Sequence, residues 1–485
     1  MALSEEAQRI VAKFDYTNED VNEGVQEFLR QMKEGLEKDG TSLSQIPTYV
    51  TSAPNGTEKG LYLAVDLGGT NFRVCSVLLG GDSTFNLTAT KVAIPKDLMV
   101  AESSKPLFQF LAKQVEEFLR THHDDHFQAY IQRRKTLSSI ERVREEEIFH
   151  LGFTFSFPVQ QLAINKGTLI RWTKGFDIPE AVGKDVCKLL QDAIDDLHLP
   201  VKVSALVNDT VGTLMTRSYT SPGKESAILG AIFGTGTNGA YIEKMDKIKK
   251  PVQGSYDKST GLMVVNTEWG SFDNQLNHLP DTPYDTQLDK ESLNPGLQMY
   301  EKRVSGMFLG EICRLALLDL VKDPAISLFK NDSQTTVAEE SGLNKQWGLD
   351  SALLSTAAED ESEDLSKLKA SIEKELKIFA PSLEDLKAFR DVSAAVVRRA
   401  AKLSAVPIGA IVLDSGNLET DEIVDIGVDG SLVEYYPKFR DMVMETLASI
   451  EGIGEAGAKK IRIGIAKDGS GVGAALIALV ATRME

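Results

Sequence analysis

The sequence predicts an α/β protein of more than one domain, and three observations carry the prediction. Strand-like apolar runs alternate with segments of helical periodicity along most of the chain. At about 150 residues per domain, 485 residues make two or three domains. The pattern strand, Gly/Thr/Asn turn, strand occurs twice, at Asp66–Asn71 and at Gly234–Gly239, and reads as an internal duplication. Apolar residues make up 42% and charged residues 26%, which suffices for more than one core and argues against global disorder.

The first forty residues read as two helices. Leu3, Ala7, Ile10, Val11 and Phe14 share one face; after Thr17 and Asp20, which can form a capping box, Val21, Val25, Phe28, Leu29, Met32 and Leu36 share the next. Gly40 is the expected stop, and Ser52–Thr57 a turn-rich linker. Strands are expected at Leu61–Val65, Phe72–Leu79, Ile148–Phe155, Val201–Val207, Ala227–Phe233, Ala240–Met245 and Ile461–Ala466. Ile170–Leu190 and Thr210–Tyr219 read as mixed loop and helix, and Asp468-Gly469-Ser470-Gly471 opens a small-residue helix through Val480. His122–Glu147 reads as a charged, solvated insertion and Ala357–Leu365 as an exposed acidic loop.

Lys plus Arg total 53 against 71 Asp plus Glu, a net charge of -18, which excludes a general binder of nucleic acid or anionic membrane. A phosphate compound remains reachable through local dipoles, a metal or a few cations, because charges beyond roughly 8 Å are screened. Cys75, Cys187 and Cys313 lack metal-ligand spacing and read as free thiols of a reducing compartment. Met1–Glu6 shows no secretory signal, and the longest apolar stretches, Leu403–Leu413 and Val472–Ala481, are shorter than the ~20 residues of a membrane span. A cytoplasmic protein is expected.

The chemistry is read from the turns. In Asp66-Leu67-Gly68-Gly69-Thr70-Asn71, glycines permit close approach of backbone to phosphate oxygens, while a plain hairpin turn explains the same residues. A strand follows rather than a helix, so neither a Walker loop nor a dinucleotide fingerprint fits. The second copy, Gly234-Thr235-Gly236-Thr237-Asn238-Gly239, favours two facing hairpins that clasp a polyphosphate. Asn208-Asp209-Thr210 stands where a strand ends and a helix begins, a place for catalytic groups. Asp209 also reads as an ordinary N-cap, in which case its pKa is lowered. Ser156 in Phe153–Pro158, Thr173 and Lys174 in Arg171–Gly175, Glu268 in Asn266–Gly270, and Glu301 are polar residues among apolar and aromatic ones. Such a set suits a neutral polyol, although each alone reads as structural. Asp429-Gly430 reads as a hairpin turn. Gly469, Gly471 and Gly473 match part of a dinucleotide fingerprint without its acidic partner and read as close packing at a hinge; His122, His123 and His126 lack accompanying Cys and read as exposed rather than metal-binding.

In order along the chain, the Asp66–Asn71 turn, Leu151–Ser156, Arg171–Gly175, Val207–Thr213, Gly234–Gly239, Glu268-Trp269-Gly270 and Glu301–Gly306 resemble the signature of the eukaryotic hexokinases. The resemblance runs from about Ile46 to the C-terminus. It leans to the fungal glucokinase branch at Pro54–Glu58 and Ala466–Gly471, with Phe157 in place of the usual Tyr and Lys467 in place of a common Glu. It implies a two-domain actin-like ATPase (ribonuclease H-like) fold around a cleft. Residues 60–206 form a small domain rejoined by 466–485, residues 207–465 form a large domain, and the helices of 1–59 pack on the latter. The implied reaction is ATP- and Mg²⁺-dependent phosphorylation of the 6-hydroxyl of glucose, with fructose or mannose as further substrates, at the first step of glycolysis. The implied catalytic groups are Asp209, as base, and Lys174. Ser156, Thr173, Lys174, Asn208, Asp209, Asn238, Glu268 and Glu301 would bind sugar. Asp66, Gly68, Gly69, Thr70, Asn71, Gly234, Thr235, Gly236 and Thr237 would hold phosphates, and Gly427, Val428, Asp429, Gly430 and Ser431 would meet adenosine. Asp66 would reach the metal through water. The expected partners are hexose and ATP alone, with the protein a monomer or weak homodimer. A kinase preferring mannose or an amino sugar, and a catalytically silent sugar sensor of the same fold, are the rival readings.

Overall fold

The computed structural model describes residues 3–136, 148–223, 226–323, 325–330, 334–420 and 422–483. Two helices open the chain, α1 (Leu3–Lys13) and α2 (Asn18–Glu37). The capping box is present: Asp20 N–H donates to Thr17 Oγ1 at 3.1 Å and Thr17 N–H to the Asp20 carboxylate at 2.7 Å. The apolar faces of both helices are buried against the larger core. α2 stops at Glu37, before Gly40, which lies in the bend beyond it.

The first sheet is a meander of β1 (Lys59–Leu67), β2 (Asn71–Gly80) and β3 (Phe85–Ala93), to which two further strands add in parallel beyond β1. These are β4 (Phe149–Phe155) and β5 (Val201–Val207), reached through α3 (Lys105–His122) and α4 (Val186–Asp196). After β5 comes α5 (Asp209–Thr220). The second sheet repeats the plan with β6 (Leu229–Phe233), β7 (Thr237–Lys244) and β8 (Leu262–Asn266) as the meander. Among the helices that follow are α6 (Glu301–Val304), α7 (Gly306–Lys322) and α8 (Leu383–Ser415), before β9 (Val424–Asp429). A short helix α9 (Ser431–Tyr435) leads on towards β10 (Ile461–Ile465), and α10 (Ala474–Thr482) closes the chain. The strand orders are β3-β2-β1-β4-β5 and β8-β7-β6-β9-β10, with Ile46–Pro47 pairing outside β8. The duplication read from two short turns therefore extends to both sheets.

Alternation along β1 explains how the first sheet is buried on both faces. Leu63, Val65 and Leu67 join α3 and α4 in one core, whereas Ala64 joins α5 and α10 in another. The 33-residue α8 begins with a Ser382–Asp385 capping box, ends at Gly416 in the left-handed conformation, and runs through the largest core. Between the sheets, α5 crosses the π-helical turn Gly469–Gly473 at backbone contact. A Cβ on Gly212 would lie 2.0 Å from the Gly469 carbonyl oxygen, and one on Gly473 would lie 2.2 Å from Gly212 Cα. Close packing is thus what these glycines serve.

Several expectations need correction. Asp429-Gly430 is no hairpin turn: it joins β9 to α9, because β9 lies parallel to both neighbours and must leave its sheet through a crossover. The stretch after His122 is not simply solvated, since Asp124–Thr136 is a helix whose Phe127 is buried and His126 packs on Phe149; residues 137–147 lie outside the described residues. The acidic run has buried anchors: the Asp360 carboxylate accepts the Ser362 and Leu368 N–H groups, and Leu365 is buried. Glu361–Asp364 is exposed as a loop, and Glu359 is exposed at the end of the preceding helix. The C-terminal segment opens as a π-helical turn before becoming α-helical.

Candidate active site

The ends of both hairpins, the start of α5 and the loops after β4 and β8 converge between the sheets. In the first hairpin, Leu67 opposite Phe72 is the last pair before the turn, which puts Asp66 opposite Arg73 and, through the parallel neighbour, beside Thr154. Asp66 accepts a hydrogen bond from the Ser470 hydroxyl, Thr154 Oγ1 donates to the Ser470 carbonyl at 2.9 Å, and Arg73 pairs with Asp468. The π-helical turn thus holds the first hairpin from behind. Burial pushes the Asp66 carboxyl up; the Ser470 hydroxyl and Arg73 pull it down, Asp468 pushes it up and Lys174 lowers it again.

Asp209 is the first residue of α5 and not its cap. Asn208 is the N-cap, its side-chain oxygen accepting the Thr210 N–H at 3.0 Å. Asp209 nevertheless also accepts the Thr210 N–H, at 2.9 Å, a bond that works to lower its pKa. Burial is the first cause that raises its carboxyl, to about 6, followed by the negative charges of Asp66 and Glu268; the Thr210 N–H and Lys174 oppose them. The electrostatics bring together groups from both sheets. Lys174 is left-handed, with φ 58°, and donates from Nζ to the Ser156 carbonyl at 2.9 Å. Desolvation lowers its ammonium pKa, while Asp209, Asp66 and Glu301 raise it. Thr173 precedes it, its carbonyl accepting the Phe176 N–H at 3.1 Å.

The opposite wall is a hydrogen-bonded lattice. Glu268, left-handed with φ 53°, accepts from Asn266 Nδ2 at 2.7 Å and Asn238 Nδ2 at 3.3 Å. Non-glycine residues held in this conformation concentrate at functional sites. Trp269 Nε1 donates to Thr237 Oγ1 at 3.0 Å, and its ring lies so close to the strand that a Cβ on Gly239 would come within 2.2 Å of it. Glu301, at the start of α6, accepts the Thr237 N–H at 3.0 Å. Burial raises the carboxyls of Glu268 and Glu301. The second turn is held by backbone: the Gly234 carbonyl accepts Gly306 N–H at 2.7 Å and the Thr235 carbonyl accepts Met307 N–H at 3.3 Å. Gly427–Ser431 abuts it, a Cβ on Gly234 standing 3.3 Å from Gly430 Cα.

Asp66, Lys174, Asp209, Glu268 and Glu301 are thus linked through their charges, Gly68 lies against Ser156, and Gly236 lies against Glu301. The sequence reading missed Arg73, Thr154, Asp468, Ser470, Asn266 and Gln298, whose side chain packs against Gly270 beside Glu301. Gly270 and Gly239, each refusing a Cβ, were the available signals for the last wall.

Comparison with known proteins identifies the family. Hexokinase family models match residues 6–219 and 228–480. The glucokinase of Aspergillus niger is 59% identical over 100% of this chain and 98% of its own, and glucokinase-1 of Saccharomyces cerevisiae is 42% identical over 99% and 98%. A hexokinase from Schistosoma mansoni, solved in complex with glucose, superposes with a TM-score of 0.79 at 33% identity, covering 99% of this chain and 100% of that one. The chain belongs to the hexokinase family, with the actin-like two-domain α/β fold, and is an enzyme of ATP-dependent hexose phosphorylation.

Proposed function

We propose that the hexose is glucose, phosphorylated at its 6-hydroxyl, and that Asp209 is the general base. The glucokinase relatives support glucose as the hexose, and the observation that carries Asp209 as base is its place at the first turn of α5, where Asp66, Lys174 and Glu268 from both sheets act on a carboxyl that burial raises. A base whose pKa lies near the working pH combines ionisation with proton affinity. Ser156, Thr173, Asn208, Asn238, Glu268 and Glu301 hold the sugar hydroxyls and orient the 6-hydroxyl towards Asp209. Lys174 joins them, and its ammonium offsets negative charge that builds during transfer. The turns Gly68–Asn71 and Gly234–Thr237 hold phosphates, and Gly427–Ser431 holds adenosine. Residues 60–206 with 466–485 form one side of the cleft and 207–465 the other, with the helices of 1–59 on the latter.

Asp66 fits a Mg²⁺ role. Its partly buried carboxylate lies in the field of Asp468 and Asp209, which Arg73 and Lys174 offset in part and a cation would relieve further. Among the described residues no three His, Cys, Asp or Glu side chains are grouped to hold a metal, which suits an ion bound mainly by water and phosphate with one protein carboxylate. When bound, the ion neutralises charge on the phosphates. Sugar contacts from both sides of the cleft assemble the site only when hexose is present, so water is kept from the phosphate. Among the described residues no helix is long and apolar enough to cross a membrane. A cytoplasmic location accords with three buried free thiols, and a monomer or weak homodimer is the proposed assembly. A coupled assay over glucose, fructose, mannose and glucosamine tests the reading: glucose should give the highest kcat/KM, and a higher value for mannose or glucosamine would replace it.

A further inference from the structure

Lys174 carries a mobile stem in an exposed loop, yet the proposed function needs its ammonium at one place. Three features bear on how that is achieved. The residue is held in the left-handed conformation, Nζ donates to the Ser156 carbonyl at 2.9 Å, and Nζ stands 5.5 Å from the centroid of the Phe157 ring. That ring has little freedom. It is 5% exposed and packs on Phe155 at 4.8 Å, Trp172 at 5.0 Å and Phe176 at 5.1 Å between centroids. Trp172 and Phe176 are stacked on each other at 5.4 Å, and Trp172 Nε1 donates to the Ile178 carbonyl at 2.8 Å. A ring face is attractive to a cation through its quadrupole, most strongly where water is partly excluded.

We infer that Phe157 is a positioning residue for Lys174: its ring, locked by Phe155, Trp172 and Phe176, is the platform on which the ammonium rests between Ser156 and Asp209. The inference rests on the role given above to Lys174. The platform is paired with charge on the far side, because Asp209, Asp66 and Glu301 face the ammonium from the other elements around the site. Removing the ring face while keeping apolar volume should release the ammonium from its perch, leaving these carboxylates and the Ser156 carbonyl to hold it.

The test is a double-mutant cycle between Phe157→Leu and Lys174→Met, with Phe157→Tyr as the conservative variant. Phe157→Leu should lower kcat by about 3–10-fold and leave the ATP KM within about twofold, while Phe157→Tyr, which keeps the ring face, stays near the parent. In the Lys174→Met background Phe157→Leu should have no further effect on kcat. Multiplicative losses in the double variant would overturn the inference. A second readout needs no turnover: trace acetylation of the intact protein across pH, with Lys174 followed by mass spectrometry. The midpoint for Lys174 should fall by about half a pH unit in Phe157→Leu and stay unchanged in Phe157→Tyr. An unmoved midpoint in Phe157→Leu would overturn the inference whatever the kinetics. If Lys174→Met alone leaves kcat intact, it is the role of Lys174 in the proposed function that fails, and the acetylation midpoint still decides whether Phe157 holds the ammonium.

Discussion

At the first hairpin, Asp66 lies one residue from the end of its strand beside Arg73, Asp468, Ser470 and Thr154, all polar, two of them reaching it from the far end of the chain. At the second hairpin the corresponding turn has no acid of its own. It borrows one, since Glu301 accepts the Thr237 N–H, and it is braced by the Trp269 indole and by the backbone of Gly306 and Met307. Two copies of one strand order thus carry different chemistry. The first carries a carboxylate of its own, which the proposed function assigns to phosphate and metal. The second is tied through Thr237 to Glu301 and Trp269, and Asp209 lies in the electrostatic reach of both walls through Asp66 and Glu268. A repeated scaffold is specialised by what packs behind each turn.

The widest break should come from the group both hairpins serve. Asp209→Ala should lower turnover by roughly 10²–10⁴-fold with glucose affinity changed far less, as read by steady-state kinetics beside calorimetric glucose binding. A loss under about fivefold would reduce Asp209 to an ordinary helix-start residue. Next in size, Asp66→Asn should raise the Mg²⁺ concentration needed for half-maximal activity by about 10–100-fold while the glucose KM stays put, which isolates the first hairpin. An unchanged Mg²⁺ requirement would erase the distinction between the two turns.

The second hairpin is sharpened by a pair of conservative changes. Glu268→Gln and Glu301→Gln each remove charge-assisted acceptance worth ~1.5–3 kcal/mol, so each should raise the glucose KM by about 10-fold or more. Glu301→Gln alone should also raise the ATP KM, because Thr237 N–H depends on its carboxylate. Equal ATP values for the two variants would show that the turn is not wired through Glu301.

How much of this was legible in the sequence follows from distance along the chain. The hairpins, the α2 capping box and the β5–α5 junction depend on neighbours a few residues away, and local composition announces them. Asn208 rather than Asp209 as cap is a one-residue choice that composition cannot make, and the direction of the Asp209 pKa was set by burial, which only the tertiary fold supplies. The Arg73–Asp468 pair spans 395 residues and has no local signature. Asp429-Gly430 had good hairpin chemistry overridden by parallel pairing on both sides.

The smallest expected effect concerns stability. The Asp209 carboxyl sits at about 6 against an ordinary 3.8, so its ionised form is disfavoured by the fold. The cost is fully present above pH 6 and disappears as pH falls towards 4. Asp209→Asn should therefore stabilise the sugar-free protein at pH 7 by ~1–3 kcal/mol in urea unfolding, with the gain fading below about pH 4. A variant less stable than the parent at pH 7 would mean that the carboxylate is held by favourable contacts and is not poised as a base.

The same carboxyl gives the measurement closest to the central claim, that a base with a raised pKa between two specialised hairpins takes the sugar proton. The pH dependence of kcat/KM for glucose should show an acid limb, falling as Asp209 is protonated, with a midpoint near 6. In Asp209→Ala that limb should vanish from a greatly reduced rate. A limb that persists unchanged in the variant, or a parent profile flat down to about pH 4, would contradict the assignment of Asp209 as the base.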